Sequence, residues 1–579
     1  VQTCALPIFE DAIICFDKAI SLQSKFINAW LNKGIALHSL KKYNQALSHF
    51  DHALTLNPNY SEIYSCKGKT LCELQYYADA IENYDKAILL DSSNIEAYSG
   101  LGTVYKILKN FPKGAECQLK AHELQPDDTY FLSYAHHQMM LCCDWENYEK
   151  ITRQISENLL QGKKSAEPFG FQGIAFSEEL LKKCAEIYSN HWFPTQKAIS
   201  NNFHRKSEKI RIGYLCGEFR NQATSVLMTR IWELHNQTKF EIYAFDTGWD
   251  DKSTYRKRIE SAFNYVLDIS KLSDLEAANL IFEKNIDILV NLNGFFGAAQ
   301  PGIFAYKPSP IQVNYLGFPG TIGSQYIDYL IADKIVIPEN SRIYYSEKII
   351  YLPNSYQAND DLRKISAIKY SRKELELPDK GFIFCSFNKP YKITPITFNS
   401  WMRILKAVEG SILWLINDNE WAFRNLRKEA EKNNVDPNRL IFANRTSLPN
   451  HLARCSQADL FLDTLPYNAH TTASDALWAG LPVVTLIGNT FPGRVGASLL
   501  NAIGLPELVT KTQEEYESLS IYLAKNPDQL FKIKQKLLDN RFTQPLFNSQ
   551  TFTEHLESAY EEMFSRWRKG LPTDHISIQ

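Results

Sequence analysis

The sequence predicts an α-helical repeat superhelix followed by α/β layers, two doubly wound lobes in series. Two observations carry that expectation. The first ~126 residues repeat with a period of 34, and from about residue 209 short apolar runs alternate with helical patterns. At 579 residues the chain is long enough for several cores.

The repeat is read position by position. Trp30, Tyr64 and Tyr98 fall at one position, and Gly34, Gly68 and Gly102 follow four residues later. Ala46 and Ala80 recur with Gly114, then Phe50 and Tyr84, then Ala53, Ala87 and Ala121. Pro58 and Pro126 close two copies with Ser92 between them, and Ala12, Phe16 and Ala19 supply the back half of an earlier copy, about three and a half in all over residues 1–126. Small residues let two antiparallel helices approach, the aromatic fills the gap, and proline stops the second helix. No copy buries its apolar face alone, so copies stack into a superhelix with a concave face, as in the tetratricopeptide repeat that this pattern resembles. Val1 to Ile8 do not fit the pattern, as foreign sequence would not, and the chain starts at Val1 rather than Met. The lack of a targeting signal therefore proves little.

Composition narrows the class of partner. Apolar residues make up 44% and charged residues 22%, the balance of a folded soluble protein. A net charge of −2 argues against nucleic acid, which wants a basic surface. No run approaches the roughly 18 apolar residues of a membrane span. Eleven cysteines are scattered without CxxC or Cys/His ligand spacing, so they read as reduced thiols of a cytoplasmic protein.

From 127 to 208 the period is lost while the pattern stays helical, a linker holding Leu141–Cys142–Cys143–Asp144–Trp145–Glu146–Asn147–Tyr148 and ending in the basic stretch Asn201 to Lys209. A first lobe (209–375) has strands at Ile210–Cys216, Glu241–Asp246, Ile286–Leu292, Ile311–Leu316 and Tyr329–Ala332. A second lobe (376–579) has strands at Phe382–Phe387, Ile412–Ile416, Leu440–Ala443, Leu460–Asp463 and Val483–Ile487. Two such Rossmann-like lobes leave a cleft at the carboxyl ends of their strands, which suits a nucleotide.

Three segments of the second lobe point into that cleft. In Leu460 to Gly480 a strand, a turn at Pro466–Tyr467–Asn468 and a helix from near His470 follow one another. Thr471 and Thr472 then lie where unpaired N–H groups and a positive helix end can grip a phosphate, and Asp475 can accept from ribose hydroxyls. On this segment alone, simple N-capping by Thr471 or Thr472, with Asp475 in a favourable first turn, is the stronger reading. In Cys385 to Pro395, Lys392, with Lys389 beside it, leaves a strand's carboxyl end where its charge can offset a diphosphate. In Leu448 to Arg454, His451 and Arg454 share one helical face. There is no P-loop and no convincing GxGxxG. Asp250–Asp251 and Asp360–Asp361 read as charged loops rather than as a metal pair.

Together, FNKPYKITP, SLPNHLAR, PYNAHTTASDALWAGLPVVT, YLGFPGTIGSQYIDYLIAD and the CDWENY connector resemble the O-linked N-acetylglucosamine transferases and their bacterial relatives, from Phe9 to about Trp567. The resemblance implies a two-lobed GT-B type fold, a catalytic first lobe and a nucleotide-sugar-binding second lobe. It implies inverting transfer from a UDP-sugar, N-acetylglucosamine by expectation, to Ser or Thr of a polypeptide presented by the repeats. Lys392 would stabilise the leaving diphosphate, His470, Thr471 and Thr472 would contact the phosphates, and Asp475 the ribose. Lys389, Thr446, Ser447, Leu448, His451 and Arg454 would line the nucleotide pocket. Charge stabilisation by Lys392 would stand in for a metal, so neither metal nor cofactor is expected.

The first lobe departs from the family. Gln222 stands where the family carries a histidine near the donor, and Gln222 cannot accept a proton at neutral pH. An acidic position falls at Asn279 and a lysine position at Gly297, which leaves the acceptor half without titratable groups. Three readings stay open: an enzyme that passes the proton to a substrate phosphate or water, an inactive nucleotide-binding repeat scaffold, and an enzyme using UDP-glucose or GDP-fucose.

Overall fold

The computed structural model describes residues 6–126, 130–200, 203 and 207–579. The foreign-looking start at Val1 to Ile8 and the stretch Asn201 to Lys209 lie largely outside them. The chain divides into two compact units, the first reaching Met139 and adding Asn147–Glu167 and Lys271–Glu276, the second holding Met140–Glu146, Pro168–Ser270 and Ala277–Gln579.

The first unit is built from α1 (Leu6–Leu22), α2 (Ile27–Ser39), α3 (Tyr43–Leu56), α4 (Ser61–Glu73), α5 (Tyr77–Leu90), α6 (Ile95–Ile107) and α7 (Phe111–Leu124). Its period has a direct steric origin. A methyl group on Gly34 would meet the Phe50 ring at 2.4 Å, one on Gly68 the Tyr84 ring at 3.0 Å, and one on Gly102 the Gln118 amide at 2.5 Å. Each first helix thus lets the large side chain of its second helix reach the backbone, and Ala46, Ala53, Ala80, Ala87 and Ala121 beside them are fully buried. The turns repeat as well, because Lys41, Gln75 and Lys109 all take the left-handed conformation, with φ of 57°, 63° and 59°. Helices α8 (Phe131–Leu141) and α9 (Tyr148–Leu160) follow, joined by a 2.9 Å contact between His136 Nε2 and Thr152 Oγ1.

The segment 127–208 is therefore not one linker. Asn147–Glu167 clusters with the repeats, whereas Met140–Glu146 clusters with the second unit. There the Asn419 amide donates to the Leu141 carbonyl at 2.9 Å and the Asn425 amide to the Cys142 carbonyl at 3.0 Å. Trp145 packs on Phe398 at 5.5 Å. Backbone bonds to the second unit, not a break in helical pattern, decide where this stretch belongs. The unit continues with α10 (Pro168–Gln172) and α11 (Glu178–Trp192).

Its first lobe runs β1 (Ile210–Cys216), α12 (Ala223–Leu234), β2 (Phe240–Asp246), α13 (Thr254–Ala262), β3 (Tyr265–Asp268), α14 (Asp274–Glu283), β4 (Ile288–Asn291), α15 (Gly302–Ala305), β5 (Ile311–Asn314), β6 (Tyr329–Ala332) and β7 (Lys348–Tyr351). The second runs β8 (Ile383–Ser386), α16 (Pro395–Ala407), β9 (Ile412–Ile416), α17 (Glu420–Lys432), β10 (Leu440–Ala443), α18 (Leu448–Arg454), β11 (Leu460–Leu462), α19 (Thr471–Trp478), β12 (Val483–Leu486), α20 (Val495–Ala502), β13 (Val509–Thr510), α21 (Gln513–Lys525) and α22 (Pro527–Asn540). Then α23 (Ser549–Arg568) and β14 (Ile576–Ser577) close the fold. Every pairing is parallel, in an eight-stranded sheet ordered β14-β7-β6-β5-β4-β1-β2-β3 and a six-stranded sheet ordered β10-β9-β8-β11-β12-β13. Helices cover both faces, which is why β4, β5, β6 and β8 are buried at every residue.

The sequence reading missed β3, β7, β13 and β14, and the last of these corrects a boundary. The lobe drawn as 376–579 does not keep its final segment. Helix α23 returns to the first lobe, where the Tyr560 and Tyr214 hydroxyls lie 3.1 Å apart and His235 Nδ1 is 3.0 Å from Glu557, and β14 pairs with β7. Among the described residues no helix is long and apolar enough to cross a membrane. The ten described cysteines are free thiols.

The packing of the repeats makes a prediction. Gly34→Ala drives a methyl into the Phe50 ring and should cost about 1–3 kcal/mol, read as a lowered urea midpoint of the repeat unit. A midpoint equal to the unmodified protein's would show that Gly34 is not set by this contact.

Candidate active site

The strand order of each sheet reverses at one point, and Lys389, Lys392, His470, Thr471 and Thr472 lie beside the reversal of the second sheet. In the second sheet β8 and β11 are neighbours, yet the chain leaves β8 toward β9 and leaves β11 toward β12. The loops after them diverge and open a crevice at the carboxyl ends of the strands. The loop after β8 carries Asn388, Lys389 and Lys392, and the loop after β11 runs from Asp463 to His470 and enters α19.

Proline decides the shape of the first loop. Pro390 starts a single 3-10 turn, Pro390–Lys392, and Pro395 opens α16 behind Thr394, whose hydroxyl accepts from the Thr397 N–H at 3.3 Å. Between them Lys392 is turned inward. Its ammonium donates to the Asn468 carbonyl at 2.8 Å and sits 4.0 Å over the Tyr467 ring. Burial lowers its pKa to about 7, with Lys389 adding to the fall and Asp463 opposing it.

The second loop is held from several sides. Asp463 Oδ1 accepts from the Thr464 and Ala469 amides at 2.7 and 2.6 Å, and Oδ2 from the Thr485 hydroxyl at 2.6 Å. Asn468 Nδ2 donates to the Thr464 carbonyl at 2.7 Å, and its own amide donates to the Pro492 carbonyl at 2.9 Å. His470 Nε2 lies 3.1 Å from the Pro492 carbonyl, so that nitrogen carries the proton. Burial, and then Lys392, hold the ring's pKa well below its usual value, and the imidazole is neutral.

The helix start settles the capping question. His470 is the N-cap of α19 and makes no side-chain cap, so Thr471 and Thr472 are its first two helical residues rather than caps. The Thr472 hydroxyl donates instead to Asn388 Oδ1 at 2.7 Å, and Asn388 Nδ2 donates to Thr464 Oγ1 at 3.0 Å. Asn388 thereby ties the two loops together. The positive end of α19 and the Lys392 ammonium consequently border the same turn.

The remaining candidates take different positions. Asp475 is buried and its Oδ1 accepts from Arg363 Nη1 at 2.6 Å. Burial raises this carboxyl to about 6, against the pull of Arg363. His451 Nδ1 accepts from Arg454 Nε at 3.0 Å, and its ring packs edge-on against Phe387 at 4.9 Å. Burial, then Arg454, lowers His451 to about 3, so it too is neutral. Arg454 points inward, over Phe387 at 5.4 Å and Trp414 at 5.7 Å, and donates to the Asn444 carbonyl. Lys389, Thr446 and Ser447 are exposed at the rim, with Leu448 half-buried.

In the first sheet β1 and β4 flank the corresponding reversal. Gln222 is exposed there as the N-cap of α12, without a side-chain cap. Asn279 lies exposed in mid-helix on α14, away from the loops at the strand ends. A titratable group does lie close to one of these positions. Glu218 is buried directly after β1, its Oε2 accepting from the Thr224 hydroxyl at 2.7 Å. A methyl group on Gly297 would come 3.6 Å from Glu218 Oε1 and 3.4 Å from Asn293 Nδ2. That amide nitrogen is buried and has no hydrogen-bond partner among the described residues. The acidic pairs are engaged as loops: Asp251 Oδ2 accepts from the Asn221 amide at 2.8 Å and Asp360 Oδ2 from Arg258 Nη1 at 2.6 Å. Among the described residues no group of three or more His, Cys, Asp or Glu is placed to hold a metal ion.

Asn388, Asn468, Asp463, Arg363 and Glu218 were missed by sequence reasoning. Asn388 and Asn468 adjoin singled-out residues, whereas Arg363 reaches Asp475 across 112 positions and left no local signal.

Such a pair of parallel sheets, each changing strand order beside polar loops, defines a two-lobed fold of the GT-B type, and the comparisons agree. A model of glycosyl transferase family 41 matches residues 184–370 and 363–556, and tetratricopeptide models match 27–60 and 68–107. The chain belongs to glycosyl transferase family 41. It is 34% identical over 467 residues to the Arabidopsis thaliana protein SEC, named a probable UDP-N-acetylglucosamine–peptide N-acetylglucosaminyltransferase, covering 76% of this chain and 48% of that protein. It is 27% identical over 564 residues to the Caenorhabditis elegans UDP-N-acetylglucosamine–peptide N-acetylglucosaminyltransferase, covering 76% and 49%. The chain thus spans about half the length of these relatives. The structure of a mutant Thermobaculum terrenum O-GlcNAc transferase superposes with a TM-score of 0.68 at 25% identity, over 93% of this chain and 97% of that one.

The two threonines should behave differently. Thr472→Val strips a donor from buried Asn388 and should lower stability by about 1–3 kcal/mol in chemical denaturation, whereas Thr471→Val should stay within about 0.5 kcal/mol. Equal losses would show that the Asn388 bridge is not what holds the loops.

Proposed function

We propose that the chain transfers N-acetylglucosamine from its UDP conjugate to Ser or Thr hydroxyls of polypeptides, in the cytoplasm, with the acceptor chain engaged by the repeats. The observation that carries this reading is the inward-turned Lys392 beside the amino end of α19, at the reversal point of the second sheet. The names of the Arabidopsis, nematode and Thermobaculum relatives supply the sugar and the acceptor class.

The chemistry follows from the charges. The acceptor hydroxyl oxygen attacks the anomeric carbon while that carbon's bond to the diphosphate oxygen breaks, and negative charge builds on the departing UDP. A buried ammonium and the unpaired N–H groups of Thr471 and Thr472 meet that charge in a site of low dielectric. Their arrangement is fixed before the reaction by Asn468, Asn388 and Asp463, so little reorganisation is needed. His451, Leu448 and Lys389 form the nucleotide side of the crevice in this reading, and Asp475 receives the ribose. Lys392 does the work of a metal, and none is required. Gln222 cannot take the hydroxyl proton. Glu218, the buried carboxylate beside Gly297, is the protein group suited to do so, and its presence favours an enzyme over an inactive scaffold.

Incubation with UDP-N-acetylglucosamine and candidate polypeptides should add one N-acetylhexosamine to Ser or Thr, read by mass spectrometry. UDP binding without any product would favour the scaffold, and transfer from UDP-glucose or GDP-fucose alone would change the donor. Lys392→Ala should lower kcat by about 10²- to 10³-fold with a much smaller change in donor Kd, because the charge it meets develops on the way to the transition state. An equal loss in both would reduce Lys392 to a binding group. A chelator should leave turnover unchanged.

The pH dependence has a defined sign. With a pKa of about 7 in the free protein, the Lys392 ammonium is intact below pH 7 and is lost as pH rises above it. A bound diphosphate raises that pKa, so binding takes up a proton and weakens from pH 7 upward. Calorimetry of the nucleotide sugar at pH 8 in buffers of different ionisation enthalpy should show proton uptake that vanishes in Lys392→Met. The same heat in every buffer would contradict this assignment.

A further inference from the structure

The segment between the lobes does more than connect them. Arg363, within it, has a fully buried side chain, and its Nη1 donates to Asp475 Oδ1 at 2.6 Å. Its Nε donates to the Asp360 carbonyl at 3.0 Å, and its guanidinium lies over Trp478 at 5.4 Å and Phe547 at 5.7 Å. The Trp478 indole N–H returns a bond to the Arg363 carbonyl at 3.1 Å, and the Ser474 hydroxyl donates to Asn359 Oδ1. Three contacts of α19 with this segment, through Ser474, Asp475 and Trp478, fix both partners. The ion pair uses one carboxylate oxygen, and the Asp475 side chain keeps 9% of its surface open.

We infer that Arg363 is a positioning residue for nucleotide recognition: it keeps the Asp475 carboxylate ionised and aims its second oxygen at the ribose hydroxyls of the bound nucleotide. The inference rests on the proposed ribose contact of Asp475. Its physical basis is that a buried carboxyl prefers to be neutral, and a neutral one offers a ribose hydroxyl a weaker acceptor. Burial already lifts Asp475 to about 6, and Arg363 is the cation that opposes the rise. The other titratable groups that face it are the Tyr255 phenol from α13 and the Cys455 thiol following α18, both pushed by burial to about 12. Neither therefore changes charge between pH 7 and 9.

The test compares UDP with 2′,3′-dideoxy-UDP by calorimetry on the full chain. The unmodified protein should prefer the ribose form by about 10- to 100-fold at pH 7, the range of a hydrogen bond to a charged group. Asp475→Asn should lose that preference at every pH. Arg363→Gln, which keeps a donor but not the charge, should bring it below about 3-fold at pH 7 and recover it by pH 9. Arg363→Lys should keep most of it throughout. A preference that survives in Arg363→Gln at pH 7 overturns the inference while leaving Asp475 on the ribose. A preference that survives in Asp475→Asn, or is missing from the unmodified protein, overturns the ribose contact and the inference with it. Should Arg363→Gln not fold, the Arg363→Lys variant decides: loss of the preference with no recovery of either form at pH 9 also overturns the idea.

Discussion

A cation buried without a carboxylate in hydrogen-bonding contact is the constraint on which the rest of the second lobe depends. Lys392 donates to the Asn468 carbonyl and rests on the Tyr467 ring, neither of which neutralises it. Taking an ammonium out of water costs several kcal/mol, and an aromatic face returns only a part of that. The loops must hold this arrangement against the tendency of a lysine to reach solvent. Asp463, at the end of β11, fixes the turn by accepting two backbone amides and the Thr485 hydroxyl. Asn388 then locks that turn to the loop carrying the lysine.

The same economy recurs in the neutral histidines. His451 and His470 are each held in one tautomer, His451 accepting from Arg454 and His470 donating to the Pro492 carbonyl. Burial keeps both uncharged, so they shape the crevice without adding to its charge. Positive potential there comes from Lys392, from the rim lysine at 389 and from the amino end of α19. Such a distribution suits a ligand whose charge is concentrated at one end.

What could be read from the residues alone divides along the range of the interactions. The repeat was legible because Gly34, Gly68 and Gly102 answer to partners only 16 positions away, at Phe50, Tyr84 and Gln118, in a contact made three times. Ile412–Ile416 was legible because burial on both faces leaves an unbroken apolar run, and Ile210–Cys216 because only Arg211 interrupts its run. Lys392 and the threonine pair stood out because turn residues and prolines mark the strand ends around them. The short strands β13 and β14, two residues each, carry no period at all. Whether Thr471 and Thr472 cap the helix or lie inside it turns on one residue of backbone conformation. Glu218 carries no signal of its own in the sequence, where the position of the family histidine falls four residues later at Gln222. Arg363 could not be found locally, since what gives it meaning is a carboxylate on a helix of the other sheet's lobe.

The return of α23 and β14 to the first sheet has a mechanical side. The polypeptide crosses between the lobes once after β7 and again before α23, and the two crossings are bonded to each other, the Asn359 amide donating to the Leu546 carbonyl at 3.2 Å and the Ser549 hydroxyl to the Asn359 carbonyl at 2.8 Å. Two straps running side by side permit a lobe to swing about the line that joins them but resist twisting or sliding, as a door on two hinges does. Bending of one lobe on the other at this paired strap leaves the Asn359 bonds in place, whereas sliding one crossing past the other breaks them.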